Sequence, residues 1–122
     1  MGDFELSAKL FKTLMHPARL EILDILRNGE ACVCHMEAAL GYRQAYISQQ
    51  LSVLREAGLV QDRRDGWNMY YRVIQPHVYD VIDAAQTALG GARATARRKS
   101  AQSATLDGCS CPHCSPLEKV AA

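Results

Sequence analysis

CHMEAALGYRQAYISQQLSVLREAG, residues 34–58, reads as two helices hinged at one glycine. A short helix from about Cys34 to Leu40 stops at Gly41. A longer one over 43–58 carries Ile47, Leu51 and Leu54 on one apolar face and ends at Gly58. A short helix, a tight turn holding a glycine and a longer helix are the parts of a helix-turn-helix, whose second helix enters the major groove of DNA.

The pattern changes directly after Gly58. LVQDRR and NMYYRVI flank Asp65-Gly66, a hairpin signal. A two-stranded ribbon behind a helix-turn-helix makes a winged helix. Upstream, FELSAKLFKTL over 4–14 repeats Leu6, Leu10 and Leu14 at helical spacing, with Asp3 as its N-cap. HPARLEILDILRNGE follows, with Pro17 suited to a first helical position and Gly29 to a left-handed stop. Downstream, Val78, Val81, Ile82, Ala85 and Leu89 form one face of a last helix. The first and last helices thus have apolar faces that so small a domain leaves without partners. A two-fold dimer burying Leu6, Leu10, Val78, Val81, Ile82 and Ala85 solves that, and it sets two recognition helices in successive major grooves. The fold class expected is mainly α (α+β), a winged helix-turn-helix with a two-stranded β wing, dimeric through its first and last helices. It occupies residues 1–90, and 91–122 read as a flexible basic linker and a cysteine-rich tail.

Composition limits the alternatives. The chain of 122 residues, 48% apolar, suits one domain with its own core. No run approaches the roughly 20 apolar residues of a membrane span, and the acidic N-terminus lacks a signal-like stretch, so a cytoplasmic protein without membrane contact is expected. The net charge of +1 conceals an asymmetry: residues 1–40 sum to −2, residues 41–75 to +2, and Arg93, Arg97, Arg98 and Lys99 add a basic run. Basic charge in the middle and tail suits a nucleic-acid backbone. No acid–base constellation or phosphate loop is present, so no enzyme and no organic cofactor are expected.

On the second helix, Arg43, Gln44, Tyr46, Ser48, Gln49 and Gln50 are left over by the apolar face. Arg and Gln can pair with base edges, and Ser and Tyr suit bases or phosphates of double-stranded operator DNA. Arg63 and Arg64 on the hairpin arm would meet phosphates or the minor groove. Trp67 at its tip packs on the wing or touches the DNA backbone. Tyr71 and Val73 are expected to face inward.

Five cysteines remain: Cys32 and Cys34, then Cys109, Cys111 and Cys114. In a reducing compartment they point to metal or redox chemistry rather than structural disulfides. Positions i and i+2 diverge on a helix but align in an extended segment. Joint ligation by Cys32 and Cys34 therefore needs the helix to begin at or after Cys34, or to unwind there. Thiolates select soft ions. Two of these thiols with one from the tail suit As(III), and two plus two suit tetrahedral Zn(II) or Cd(II); Pb(II) belongs to the same soft class. His35 and His113 are secondary candidates. From Gly90 to Cys109 is 19 links, roughly 24 Å for a flexible coil, so the tail can reach the third helix of either subunit.

HPARLEILDIL, the CVC at the third helix, ISQQLSVLREAGLV and RRDGWNMYYRV together resemble the ArsR/SmtB metalloregulatory repressors, in order over residues 5–89. The resemblance implies a dimeric winged helix-turn-helix that binds operator DNA and dissociates when an inducer binds. CVC resembles the third-helix metal(loid) site of the arsenic, cadmium and lead sensors. Three departures stand beside it. Glu37 occupies the place of the common arsenic sensors' third cysteine, the N-terminus has no cysteine, and Gln86, Thr87 and Ala88 stand where a last-helix site needs a second ligand pair beyond His77, Asp80 and Asp83. The expected function is a metal(loid)-responsive repressor, with a thiol redox or persulfide sensor on the same fold as the alternative. Movement of the third helix toward the tail would then reorient the recognition helices.

Overall fold

Pro17 opens the second helix because its missing N–H costs nothing at a first helical position. In the computed structural model, which describes residues 2–90, that helix is α2 (Pro17–Ile25), preceded by α1 (Asp3–Leu14). A 3-10 turn over Leu26–Asn28 leads to β1 (Ala31–Cys32), α3 (Val33–Leu40), α4 (Gln44–Glu56), β2 (Val60–Asp65), β3 (Asn68–Val73) and α5 (Val78–Ala88). The linker and tail of 91–122, with Cys109, Cys111 and Cys114, lie outside the described residues.

The helix-turn-helix forms as its sequence predicts. Gly41 ends α3 in the left-handed conformation, φ 73°, donating its N–H to the Glu37 carbonyl. Ile47, Leu51 and Leu54 are fully buried, and they share a core with Ile22 and Leu23 of α2 and Met36 of α3. Leu59, Val60 and Tyr71 bring the sheet into the same core.

The wing differs from the two-stranded ribbon expected. The sheet has three antiparallel strands in the order β1-β3-β2, because Ala31 and Cys32 pair with Tyr71 and Tyr70. Two residues make too short a run to announce a strand by alternation. The hairpin turn is also displaced by one: Asp65 pairs with Asn68, leaving Gly66-Trp67 as the loop. Positive φ at Gly66 alone, 61°, is the pattern of a type II′ turn, which wants glycine first.

The helix ends show two smaller differences. Gly2, not Asp3, caps α1, and Asp3 and Glu5 lie within the first turn, where acidic groups meet the positive helix end. Gly29 has φ 131° and ψ −166°, outside the left-handed helical region, because the 3-10 turn already terminates α2.

Helix α5 is docked by Arg27, which forks onto both carboxylate oxygens of Asp83 at 3.0 and 3.2 Å. The same guanidinium lies 4.4 Å over the Tyr79 ring, and the Tyr79 hydroxyl donates to the Leu23 carbonyl at 2.6 Å. Burial holds the Tyr79 phenol well above its ordinary range, so it remains a donor.

The expected dimer face is corrected by this docking. Val78 and Ile82 are buried in the chain's own core, and half-buried Leu10 and Val81 pack against it. Leu6 and Ala85 are exposed. The Leu6-Leu10-Leu14 row is therefore divided: Leu14 turns inward while a neighbouring stripe, Phe4, Phe11 and Met15, stays open. At about 100° per residue, positions 4, 11 and 15 coincide on a helix. Among the described residues, no helix is long and apolar enough to cross a membrane.

Candidate functional site

The buried set Ile47, Gln50, Leu51 and Leu54 fixes which side of α4 faces outward. Counting about 100° per residue from it, Ala45, Gln49, Ser52 and Glu56 lie opposite the core. Tyr46 flanks them on one side, Gln44 and Ser48 on the other. Gln44, Tyr46 and Gln49 are exposed, as is Arg43 at the N-cap, and Ser48 is half-buried. Ala45 and Ser52 join the outward face on helical geometry, and Ala45 has no polar group to mark it in the sequence. A small apolar side chain on the reading face can meet a thymine methyl.

Gln50 is the correction in this set. It is 7% exposed, and its side-chain oxygen accepts from Arg19 Nε at 2.8 Å. Arg19 also donates to the Thr13 carbonyl, so Gln50 ties α4 to α1 and α2 instead of facing a groove. Replacing Gln49 with Ala should therefore weaken operator binding by about 1–3 kcal/mol and relax base preference. Gln50→Ala should instead lower fold stability by about 1–3 kcal/mol, since it strips a half-buried guanidinium of one of its acceptors. Operator titrations beside urea melts separate the two.

Tyr42 and Tyr46 form a tilted ring pair with centroids 5.1 Å apart at the start of α4. The Tyr42 hydroxyl donates to Glu21 of α2 at 3.2 Å, and that carboxylate holds the phenol above its ordinary range.

The two wing arginines have different surroundings. Arg63 Nε donates to Glu30 at 2.9 Å, its second nitrogen pairs with the other Glu30 oxygen, and its guanidinium lies 4.9 Å over Tyr70. That binding holds it protonated well above the usual range and ties its exposed side chain to Glu30. Arg64 is exposed and has no hydrogen-bond or ion-pair partner among the described residues, as a phosphate contact requires. Arg64→Ala should weaken binding to all sequences alike and reduce the salt slope by about one. Trp67 at the loop is 97% exposed, which removes the reading that packs it on the wing. Tyr71 and Val73 pack inward as expected.

The thiols sit where β1 becomes α3. Cys32 has extended backbone, φ −90° and ψ 162°, and is the N-cap of α3; its Sγ accepts from the His35 N–H at 3.4 Å. Cys34 is the second residue of the helix. The helix starts at Val33, one residue earlier than joint ligation was expected to require, with the first thiol outside it and the second in its first turn, so both sulfurs meet one ion only if that turn unwinds. An accepted N–H and a helix N-terminus both favour thiolate. Cys32 is 1% exposed and packs on Tyr70, and Cys34 packs against the same pair. Among the described residues, neither forms a disulfide. Among the described residues, no group of three or more Cys, His, Asp or Glu is arranged to hold a metal ion. Two thiols meet the chemistry of a soft ion but supply only half of a tetrahedral set. At the last helix, His77 pairs with Asp80 at 3.2 Å and Asp83 is taken by Arg27.

Residues 16–62 match the model of the bacterial regulatory protein, arsR family. The chain is 47% identical over 77 residues to a biofilm growth-associated repressor of Agrobacterium fabrum, covering 63% of this chain and 66% of that one. It is 45% identical over 76 residues to an arsenic resistance transcriptional regulator of Pseudomonas putida, covering 62% and 59%. In structure it is similar to Rv0081 of Mycobacterium tuberculosis, with TM-score 0.64 and 38% identity over 78% of this chain and 94% of that one. It is also similar to the homodimeric winged helix-turn-helix domain Mb0332 of Mycobacterium bovis, with TM-score 0.63 and 31% identity over 73% and 87%. The named relatives are regulators rather than enzymes.

Proposed function

Because the chain belongs to the arsR family of bacterial regulatory proteins, we propose that it is a dimeric repressor whose operator affinity is set by a thiophilic ion. Cys32 and Cys34 would hold As(III), Cd(II), Pb(II) or Zn(II) together with one or two of Cys109, Cys111 and Cys114. The observation that carries this reading is the placement of two thiols at the N-terminus of the first helix of the helix-turn-helix, packed on a residue of the wing. An ion there needs more sulfur than the described residues offer, and the remaining cysteines of the chain are the matching donors.

Arg43, Gln44, Tyr46, Ser48 and Gln49 would read the major groove, with Arg64 on phosphate. The dimer would bury the stripe of Phe4, Phe11 and Met15 with Leu6, Ala85 and Leu89, all exposed in the single chain. A homodimeric relative of the same fold supports a dimer. An operator is first selected from a random duplex pool. Reduced protein on it is then titrated with As(III), Cd(II), Pb(II) and Zn(II), beside peroxide and polysulfide. Release by an ion under reducing conditions is the expected result; release by peroxide or polysulfide alone would replace the ion with thiol oxidation as the signal.

A further inference from the structure

Cys32, Tyr70 and Arg63 stand abreast across the three strands: Cys32 pairs with Tyr70 on one side, and Arg63 pairs with Tyr70 on the other. Directly opposed residues of antiparallel strands project from the same face. Their side chains accordingly form one stack, with Cys32 packed on Tyr70 and the Arg63 guanidinium over the Tyr70 ring. Arg63 then returns to Glu30, two residues before Cys32 and next to β1, through two hydrogen bonds. The segment that carries the thiols is thus fastened to the wing at both its strand pairing and its side chains.

Resting on the ion-binding reading above, we propose that Arg63 is a positioning residue that couples the thiols to the wing, so that the response reaches DNA through β2 and β3 as well as through α3. Tyr70 is 1% exposed, and a close-packed neighbour cannot be displaced without moving what it touches. Were Cys32 to turn from its N-cap hydrogen bond toward an ion, it would draw on Tyr70, against which it packs. Tyr70 is held to β2 by Arg63 and, through Glu30, to the start of β1. Beyond them on the hairpin, Arg64 and Trp67 are the exposed groups that the wing offers to a duplex.

Arg63→Gln and Glu30→Gln test this together, because they change net charge in opposite directions. If Arg63 served only as a phosphate contact, the first would weaken operator binding and the second would not. As a coupling pair, both should bind Cd(II) as wild type does, followed by thiolate–Cd absorption. Both should also lose most of the Cd(II)-induced drop in operator affinity: from the order of 5–150-fold for coupled sites to under about threefold. The charge-swapped double variant, Glu30→Arg with Arg63→Glu, should regain part of the drop. Trp67 is the single tryptophan, so its emission reports the wing without DNA. Cd(II) should shift it in wild type and leave it unchanged in both single variants. A wild-type drop retained in both variants would overturn the proposal while leaving the ion site intact. Failure of wild type to take up any of Cd(II), As(III), Pb(II) and Zn(II) would remove the ion reading, and the coupling with it.

Discussion

Protein carrying Cys32→Ser should bind operator DNA as wild type does and keep it when the ion is added. Serine is close in size to cysteine, and its hydroxyl is a better N-cap acceptor for the His35 N–H, so α3 and the helix-turn-helix should stand. A hydroxyl of ordinary acidity does not replace a thiolate toward a soft ion. The whole response, on the order of 5–150-fold in operator affinity, should vanish. Cys34→Ser should behave alike, since one remaining thiol at the helix start leaves the ligand set short whichever is removed. Operator titrations with and without Cd(II) check both variants. A variant that still releases DNA at the wild-type ion concentration would exclude the β1–α3 thiols as ligands.

Ile82→Asp should unfold the protein, whereas Phe11→Asp should leave it folded and monomeric. Ile82 is 6% exposed within the single chain, among Leu23, Leu26 and the other residues of the core. Removing such a side chain costs about 2–5 kcal/mol before any charge is buried, against a total stability of about 5–15 kcal/mol for a domain. Phe11 is 59% exposed on α1, so Asp there disturbs little in the protomer and opposes an apolar interface. Circular dichroism reports the first outcome and sedimentation the second, with operator affinity falling in the monomer because one half-site must bind alone. A folded dimer carrying Ile82→Asp would contradict the core assignment, and a dimeric Phe11→Asp would displace the interface from that stripe.

The elements that were legible in the sequence are those whose periodicity repeats over several turns. Ile47, Leu51 and Leu54 announce α4, and glycines at 41 and 58 announce where α3 and α4 stop. What escaped depends on contacts between segments distant in sequence. Gln50 looks like any polar residue of a recognition helix until Arg19, thirty-one residues earlier, takes its oxygen. Val78 and Ile82 look like interface until Arg27 and Tyr79 hold α5 on the core. β1 is two residues long and exists because β3 offers an edge, so the placement of Cys32 beside Tyr70 could not be read from CVC itself. That two thiols stand at the start of the third helix was legible from residue type and spacing. Their attachment to the wing was not, because it arises from strand pairing.

The most direct test of the account compares the full chain with protein ending at Ser103, which lacks Cys109, Cys111 and Cys114, in a Cd(II) titration on operator DNA. Both should bind the operator equally before the ion is added. The full chain should let go at low Cd(II), and the shortened one should hold on or need at least about tenfold more, because two thiols fall short of the three or four a soft ion takes. Release of both at the same Cd(II) concentration would contradict the account.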